Sequence, residues 1–183
     1  VDIIVTPVIT IGAGSVVGLL VGPPISQMMT GLGSIINWAT EQRPFIMGIV
    51  VSVVMGMVLT LPISSAALGI ILNLSGLAAG AATIGCCCNM VGFAVASYQE
   101  NKFGGLVAQG LGTSMLQVPN IMRHPLIWLP VIFSSAILGP VSTILANMQN
   151  NATGSGMGSA GLVGQITTYQ TMIAYNDPKL VII

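Results

Sequence analysis

Residues 44–65 read PFIMGIVVSVVMGMVLTLPISS, and this stretch decides the fold. Up to Leu61 it holds no ionisable side chain. At a helical rise of ~1.5 Å per residue it approaches the ~30 Å hydrocarbon core of a bilayer. Pro62 then removes an amide donor and breaks the ladder, and Ser64 and Ser65 are residues that cap a new helix start. The stretch therefore predicts a membrane span followed by a half-helix over 64–74. A break at membrane depth survives only where it is buried in protein or lines a water-filled cavity.

The rest of the chain has the same character. Charge is confined to Asp2, Glu41 with Arg43, Glu100 with Lys102, Arg123 beside His124, and Asp177 with Lys179. Only 4% of residues are charged, where a soluble domain carries about 25%, and the mean hydropathy is +0.94. Lipid is the expected solvent for most of this surface. The uncharged windows 3–40, 44–99, 103–122 and 125–176 have room for about five or six segments of ~20 residues. No charge run, Ser/Pro tract or heptad marks a linker, so 1–183 reads as a single all-α polytopic membrane domain. Zero net charge leaves no footprint for nucleic acid. Val1 follows no methionine and no basic flank of a signal peptide, so a longer parent chain is expected.

Within those windows, 4–21 is apolar, with Gly14, Gly18 and Gly22 at small-xxx-small spacing, which favours close helix approach. Gly12-Ala13-Gly14 lacks the lysine and preceding strand of a nucleotide loop. Pro23-Pro24 is expected to end this segment. The more polar 25–39 suits an interface or a protein-lined cavity, and Trp38 suits a membrane boundary. Pro24-Ile25-Ser26 is echoed by Pro62-Ile63-Ser64, with Gly31 and Gly69 at matching offsets. Paired broken elements point to transporter binding sites. Residues 75–97, dense in Gly and Ala, form a second clear span packed on several sides. Residues 126–146, with Trp128, Pro130 and Pro140, form a third. An Asn/Gly-rich stretch over 147–161 precedes a weaker helix over 162–175. Residues 103–118 are short for a span. A re-entrant hairpin there would put Arg43, Lys102 and Arg123 on one side, as the positive-inside rule prefers.

Cys86, Cys87 and Cys88 are consecutive, point about 100° apart on a helix and cannot close on one tetrahedral ion, so they read as small packing residues. No metal, no cofactor and no catalytic residue is expected. His124 reads as a solvated interfacial side chain beside a loop, with a proton-handling role as the alternative. The eleven methionines are scattered packing residues, and the Asn-x-Ser/Thr strings at Asn73 and Asn151 lack a secretory context.

The stretch from Asn89 to Asn120 resists a bland reading. Amides and hydroxyls at membrane depth are costly without partners, yet they are the groups that bind sugar hydroxyls. The candidate substrate-binding residues are Glu100 and Asn101 at the mouth of the hairpin, Gln109, Thr113, Ser114 and Gln117 along it, Asn120 at its exit, and Ser64 and Ser65 at the half-helix start. Glu100 is the sharpest candidate, as a strong acceptor for a sugar hydroxyl. The bland alternatives are amides paired with hairpin carbonyls and a surface ion pair between Glu100 and Lys102.

The strings Asn73-Leu74-Ser75-Gly76-Leu77-Ala78-Ala79-Gly80-Ala81-Ala82, Met115-Leu116-Gln117-Val118-Pro119-Asn120 and Gly161-Leu162-Val163-Gly164, with Asn101-Lys102 through Gly105, resemble the membrane subunit (enzyme IIC) of the bacterial phosphotransferase system. Nearly the whole chain shares the resemblance, which is nearest to the stand-alone branch that includes a membrane regulator of clostridial toxin expression. It implies the C-terminal part of a longer chain in the bacterial cytoplasmic membrane. It further implies a homodimeric permease for a sugar or polyol, with re-entrant hairpins and phosphorylation by partner IIB and IIA components. A membrane sensor or regulator without net transport is the alternative. The chain carries no IIB-like reactive cysteine in a soluble loop and no IIA-like histidine domain. Glu100 and Glu41 are both open as the family's acidic sugar ligand.

Overall fold

A computed structural model describes residues 2–174, all helix, turn and loop apart from one isolated bridge between Gly76 and Asn150. The Asp177 and Lys179 pair, Tyr175 and Val1 lie outside the described residues.

The first helix, α1 (Asp2–Gln42), runs unbroken through Pro23-Pro24 for 41 residues. The expected stop there is therefore corrected. Proline's fixed φ is itself helical, so two prolines cost two donors and a local clash while the ladder on both sides holds the axis. The Pro24 and Pro62 echo is consequently not a structural one. Gly14 has open space beside it, and the surroundings of Gly18 and Gly22 lie outside the described residues.

Helix α2 (Pro44–Thr60) begins with proline at its first position, where no donor is lost, and stops as expected: Leu61 is extended, with ψ 159°. Ser64 then caps α3 (Ser65–Ile71), its Oγ accepting from the Ala67 amide at 3.2 Å. Asn73, at φ 50°, ends this half-helix. Asn37 of α1 straps the turn, donating to the Asn73 carbonyl at 3.0 Å and accepting from the Ser75 amide at 3.2 Å. Helix α4 (Gly76–Ala96) is the most buried element, packed between α2 and α7 (Leu129–Pro140). Val51, Met55 and Leu59 of α2 meet Ala79, Ala82, Cys86 and Met90 of α4 in the main core. Backbones touch where glycines allow it. A Cβ on Gly85 would collide with the Ser52 carbonyl, and one on Gly139 with Gly48. Among the described residues, two stretches, Gly76–Ala96 and Pro125–Leu145, are long and apolar enough to cross a membrane, and α2 is a shorter apolar helix.

After α4 the chain becomes irregular. Helix α5 (Tyr98–Val107) kinks at Lys102, whose φ is 50°, and widens into a π turn over Ala108–Gly112. Thr113 is extended, Ser114–Gln117 form a 3-10 turn, and α6 (Val118–Arg123) follows. A 3-10 turn over Pro125–Trp128 leads into α7, and α7 ends in a second π turn over Val141–Leu145. The short α8 (Ala152–Ser155) and α9 (Val163–Ala174) close the described chain.

Contacts orient the bundle. Thr143 Oγ1 donates to the Pro44 carbonyl at 2.9 Å, and Ser52 Oγ to the Ser135 carbonyl at 2.6 Å, so α2 and α7 are antiparallel. Gly85 packs on Ser52, and Thr60 reaches Asn89, so α2 and α4 run the same way. The segment 61–75 must therefore travel back along the bundle. Arg43 sits at the Pro44 end, whereas Lys102 and Arg123 sit at the Thr60 end. The expectation that all three share a side is corrected: it counted α2 and α4 as consecutive antiparallel spans and missed the return made by α3 and its extended flanks.

Candidate functional site

At the Thr60 end, the C-terminal turn of α4, the start of α5, the 3-10 turn at Gln117, α6 and the turn into α7 surround a cleft of about 270 Å³. That is slightly below the ~300–1,000 Å³ usual for drug-sized ligands. Phe93, Ala96, Ser97, Glu100, Gln117, Asn120, His124 and Ile127 line it. A carboxylate, two amides, an imidazole and a hydroxyl thus converge beside one aromatic ring.

Local geometry explains why these side chains meet. The π turn at 108–112 buries Gln109, and the extended Thr113 reverses the chain, its hydroxyl accepting from the Met115 amide at 3.2 Å. Gln117 then donates to Gln109 Oε1 at 3.1 Å, and Asn120 donates to Gln117 Oε1 at 2.9 Å. This amide chain fixes the orientation of Gln117 at the wall. Glu100 is exposed at the mouth and, among the described residues, has no ion-pair partner, Lys102 included. Ser97 turns its hydroxyl back to the Ala94 carbonyl at 3.2 Å.

The sequence-expected residues therefore separate into groups. Glu100, Gln117 and Asn120 line the cleft, and Gln109 stands directly behind Gln117. Asn101 is exposed beside Glu100, with its Cβ close to Gly105. Thr113 caps the 3-10 turn. Ser114 points into the bundle, where its Oγ lies 3.2 Å from Thr60 Oγ1. Ser64 and Ser65 are elsewhere: Ser64 caps α3, and Ser65 donates to the Gly156 carbonyl at 2.6 Å. His124, read from the sequence as a solvated interfacial side chain, is exposed and also lines the cleft.

Below the cleft lies a polar node at Asn89. Its Nδ2 donates to the Gly85 carbonyl at 3.0 Å and to Ser135 Oγ at 3.2 Å. Its Oδ1 accepts from Thr60 Oγ1 at 3.3 Å and from Trp128 Nε1 at 3.4 Å. Asn89, Thr60, Ser114 and Ser135 are all 0% exposed, so α2, α4, α7 and the 3-10 turn are tied together out of water. A second node is Asn150, which donates to Thr83 Oγ1 at 2.8 Å and to the Gly164 carbonyl at 3.3 Å. Sequence reasoning overlooked Thr60, Ser135 and Asn150; for the first two the available signal was Asn89, an amide inside an apolar run, which bonds both. The cysteines sit in packing positions: Cys86 Sγ donates to the Met55 carbonyl at 3.5 Å, and Cys87 Sγ accepts from Gln165 Nε2 at 3.6 Å.

Chemically, the cleft offers neutral donors and acceptors with one carboxylate acceptor, a set suited to a polyhydroxylated, uncharged ligand. The family model described as "Phosphotransferase system, EIIC" matches residues 1–183. No curated protein matches the chain. No solved structure matches it.

Proposed function

Because the chain belongs to the phosphotransferase system EIIC family, a family of membrane components that work with a sugar substrate and IIA and IIB partners, we propose that it is a sugar or polyol permease subunit. In this reading the chain crosses the cytoplasmic membrane several times as a homodimer and binds its substrate in the cleft at Glu100. It then passes that substrate to a partner IIB domain, on which the phosphorylation chemistry resides. Residues 103–118 act as a re-entrant hairpin whose two ends both reach the cleft.

One observation carries the proposal: Glu100, Gln117, Asn120 and His124 arrive from separate turns at a single cleft. A sugar entering a protein must exchange its hydrogen bonds to water for ones of comparable quality. Glu100 is an acceptor without a bonded partner among the described residues, Asn120 and Gln117 form an oriented amide wall, and Gln109 holds that wall. Asn101 borders the mouth, while Thr113 and Ser114 shape the tip of the hairpin. Ser64 and Ser65 hold the other broken element, which reaches the substrate if that element moves.

Proteoliposomes containing the full chain, with and without the general phosphotransferase components, test the reading against a panel of labelled sugars and polyols. Uptake of one of them that depends on those components is the expected result. Saturable binding at Glu100 with no uptake under any condition would turn the assignment to a membrane sensor with a permease fold.

A further inference from the structure

Helices α1 and α2 meet at an exposed corner. Glu41, Gln42 and Arg43 are all exposed there, and Arg43 leaves the helical region at φ −137° and ψ 66°. Glu41 and Arg43 do not pair with each other, and among the described residues neither side chain has a hydrogen-bonded or ionic partner. Trp38, less than one turn back from Glu41 on α1, is exposed too, as suits an indole at the level of lipid headgroups. A cation, an anion and an aromatic ring thus share one edge of a chain that is otherwise almost uncharged.

Beneath that corner the two helices flank a groove of about 230 Å³ whose back is formed by α3. Leu32 and Ile36 of α1, Met47, Val50 and Val54 of α2 and Leu72 of α3 stand in its walls, and every side chain lining it is apolar. Leu32, Val50 and Val54 are exposed, so the groove opens outward, which in a membrane protein means onto lipid. Its shape is set in advance. A Cβ on Gly33 would collide with the Leu72 carbonyl, and Asn37 straps the turn that follows, so α3 is a fixed wedge beside α1. Water finds none of the polar partners it needs in such a space, and an empty groove forfeits dispersion contacts. A hydrocarbon chain supplies the missing contacts without needing polar partners.

Arg43 precedes Met47 by four residues, ~6 Å of helical rise, and the groove continues from Met47 to Val54 over another ~10 Å. A phosphate at the corner and an acyl chain in the groove are therefore spaced as parts of one molecule. We propose that corner and groove together bind a phosphatidylethanolamine. Arg43 donates to its phosphate, Glu41 accepts from its primary ammonium, and one acyl chain lies between α1 and α2. Charge complementarity selects this headgroup. An anionic headgroup without an amine satisfies Arg43 but is repelled by Glu41, and a quaternary choline has no N–H to donate to Glu41. The site lies at the Pro44 end, away from the cleft at Glu100, and needs only the membrane location of the chain, so it stands apart from the permease reading.

The test titrates the full chain, purified in detergent and stripped of lipid, with phosphatidylethanolamine, phosphatidylglycerol and phosphatidylcholine of identical acyl chains, and native mass spectrometry counts the bound lipid. One phosphatidylethanolamine per chain is expected, held about tenfold more tightly than either competitor, the effect of one hydrogen bond to a charged group. Arg43→Gln should weaken phosphatidylethanolamine and phosphatidylglycerol alike, and Glu41→Gln should erase the preference between those two. Val54→Trp, which fills the groove from its exposed rim, should weaken all three lipids, whereas Phe133→Trp on the exposed face of α7 should change none. Equal wild-type affinity for the three headgroups, a preference that survives Glu41→Gln, or a filled groove that binds as before overturns the proposal. A Val54→Trp chain that changes its subunit number and not its lipid binding marks the groove as a contact between copies, and overturns it too. Because Glu41 and Arg43 are exposed, their variants keep the fold and decide the matter even if Val54→Trp does not fold.

Discussion

The three-helix bundle of α2, α4 and α7 and the irregular stretch 98–128 both carry amides and hydroxyls, and they use them in opposite ways. In the bundle the polar groups of Asn89, Thr60, Ser135 and Ser52 are buried and paired with one another or with carbonyls. In the stretch, Glu100 and Asn120 are exposed on a cleft, and Glu100 has no ionic partner among the described residues. Paired buried groups hold helices in register, whereas groups still able to accept or donate are the ones a ligand can use. A polar residue in an apolar chain is thus informative only together with its partners.

Substitutions can break or sharpen that contrast. The largest effect is expected at Gly85, where a Cβ would collide with the Ser52 backbone. Gly85→Val should abolish stable folded expression, since overpacking against backbone costs about 1–3 kcal/mol or more, and gel filtration in detergent reads the loss. Next, Asn89→Leu strands the indole of Trp128 and takes one partner each from Thr60 and Ser135, whose hydroxyls keep Ser114 and the Val131 carbonyl. It should lower stability by about 1–3 kcal/mol, while the variant that remains folded keeps its affinity for sugar. Glu100→Gln should do the opposite, weakening sugar binding by at least about 1.5 kcal/mol in calorimetric titration, with melting temperature and assembly unchanged. Unchanged affinity would remove Glu100 from the site and erase the distinction drawn here. Ser64→Ala, removing the α3 cap, should cost about 1 kcal/mol of stability. The smallest effect is a gain: Lys102 sits at φ 50°, so Lys102→Gly should stabilise by under ~1 kcal/mol, visible as a small rise in melting temperature.

Much of the architecture was legible because it depends on local chemistry. Sparse charge and long apolar windows specify helices, Pro62 specifies a stop, and Ser64 specifies the next start, whatever else the chain touches. The same local logic failed at Pro23-Pro24, where a proline pair inside a long helix loses two bonds from a ladder of many. Within the candidate site, Glu100, Gln117 and Asn120 were legible as polar groups near a glycine-rich segment. Ser64 and Ser65 were grouped with them because chemical type was visible and position was not.

By itself, the sequence determined that the chain is helical, lipid-compatible and broken near Pro62, since hydrophobicity and backbone geometry act over a few residues. Only the tertiary structure decided that α2 and α4 run parallel, that Arg43 lies opposite Arg123, that His124 joins Glu100 at one cleft, and that Ser52 of α2 meets Ser135 of the antiparallel α7. Those facts depend on which surfaces close-pack after the chain turns back through α3. Glycine contacts such as Gly85 on Ser52 set that packing, and their partners lie tens of residues away in sequence.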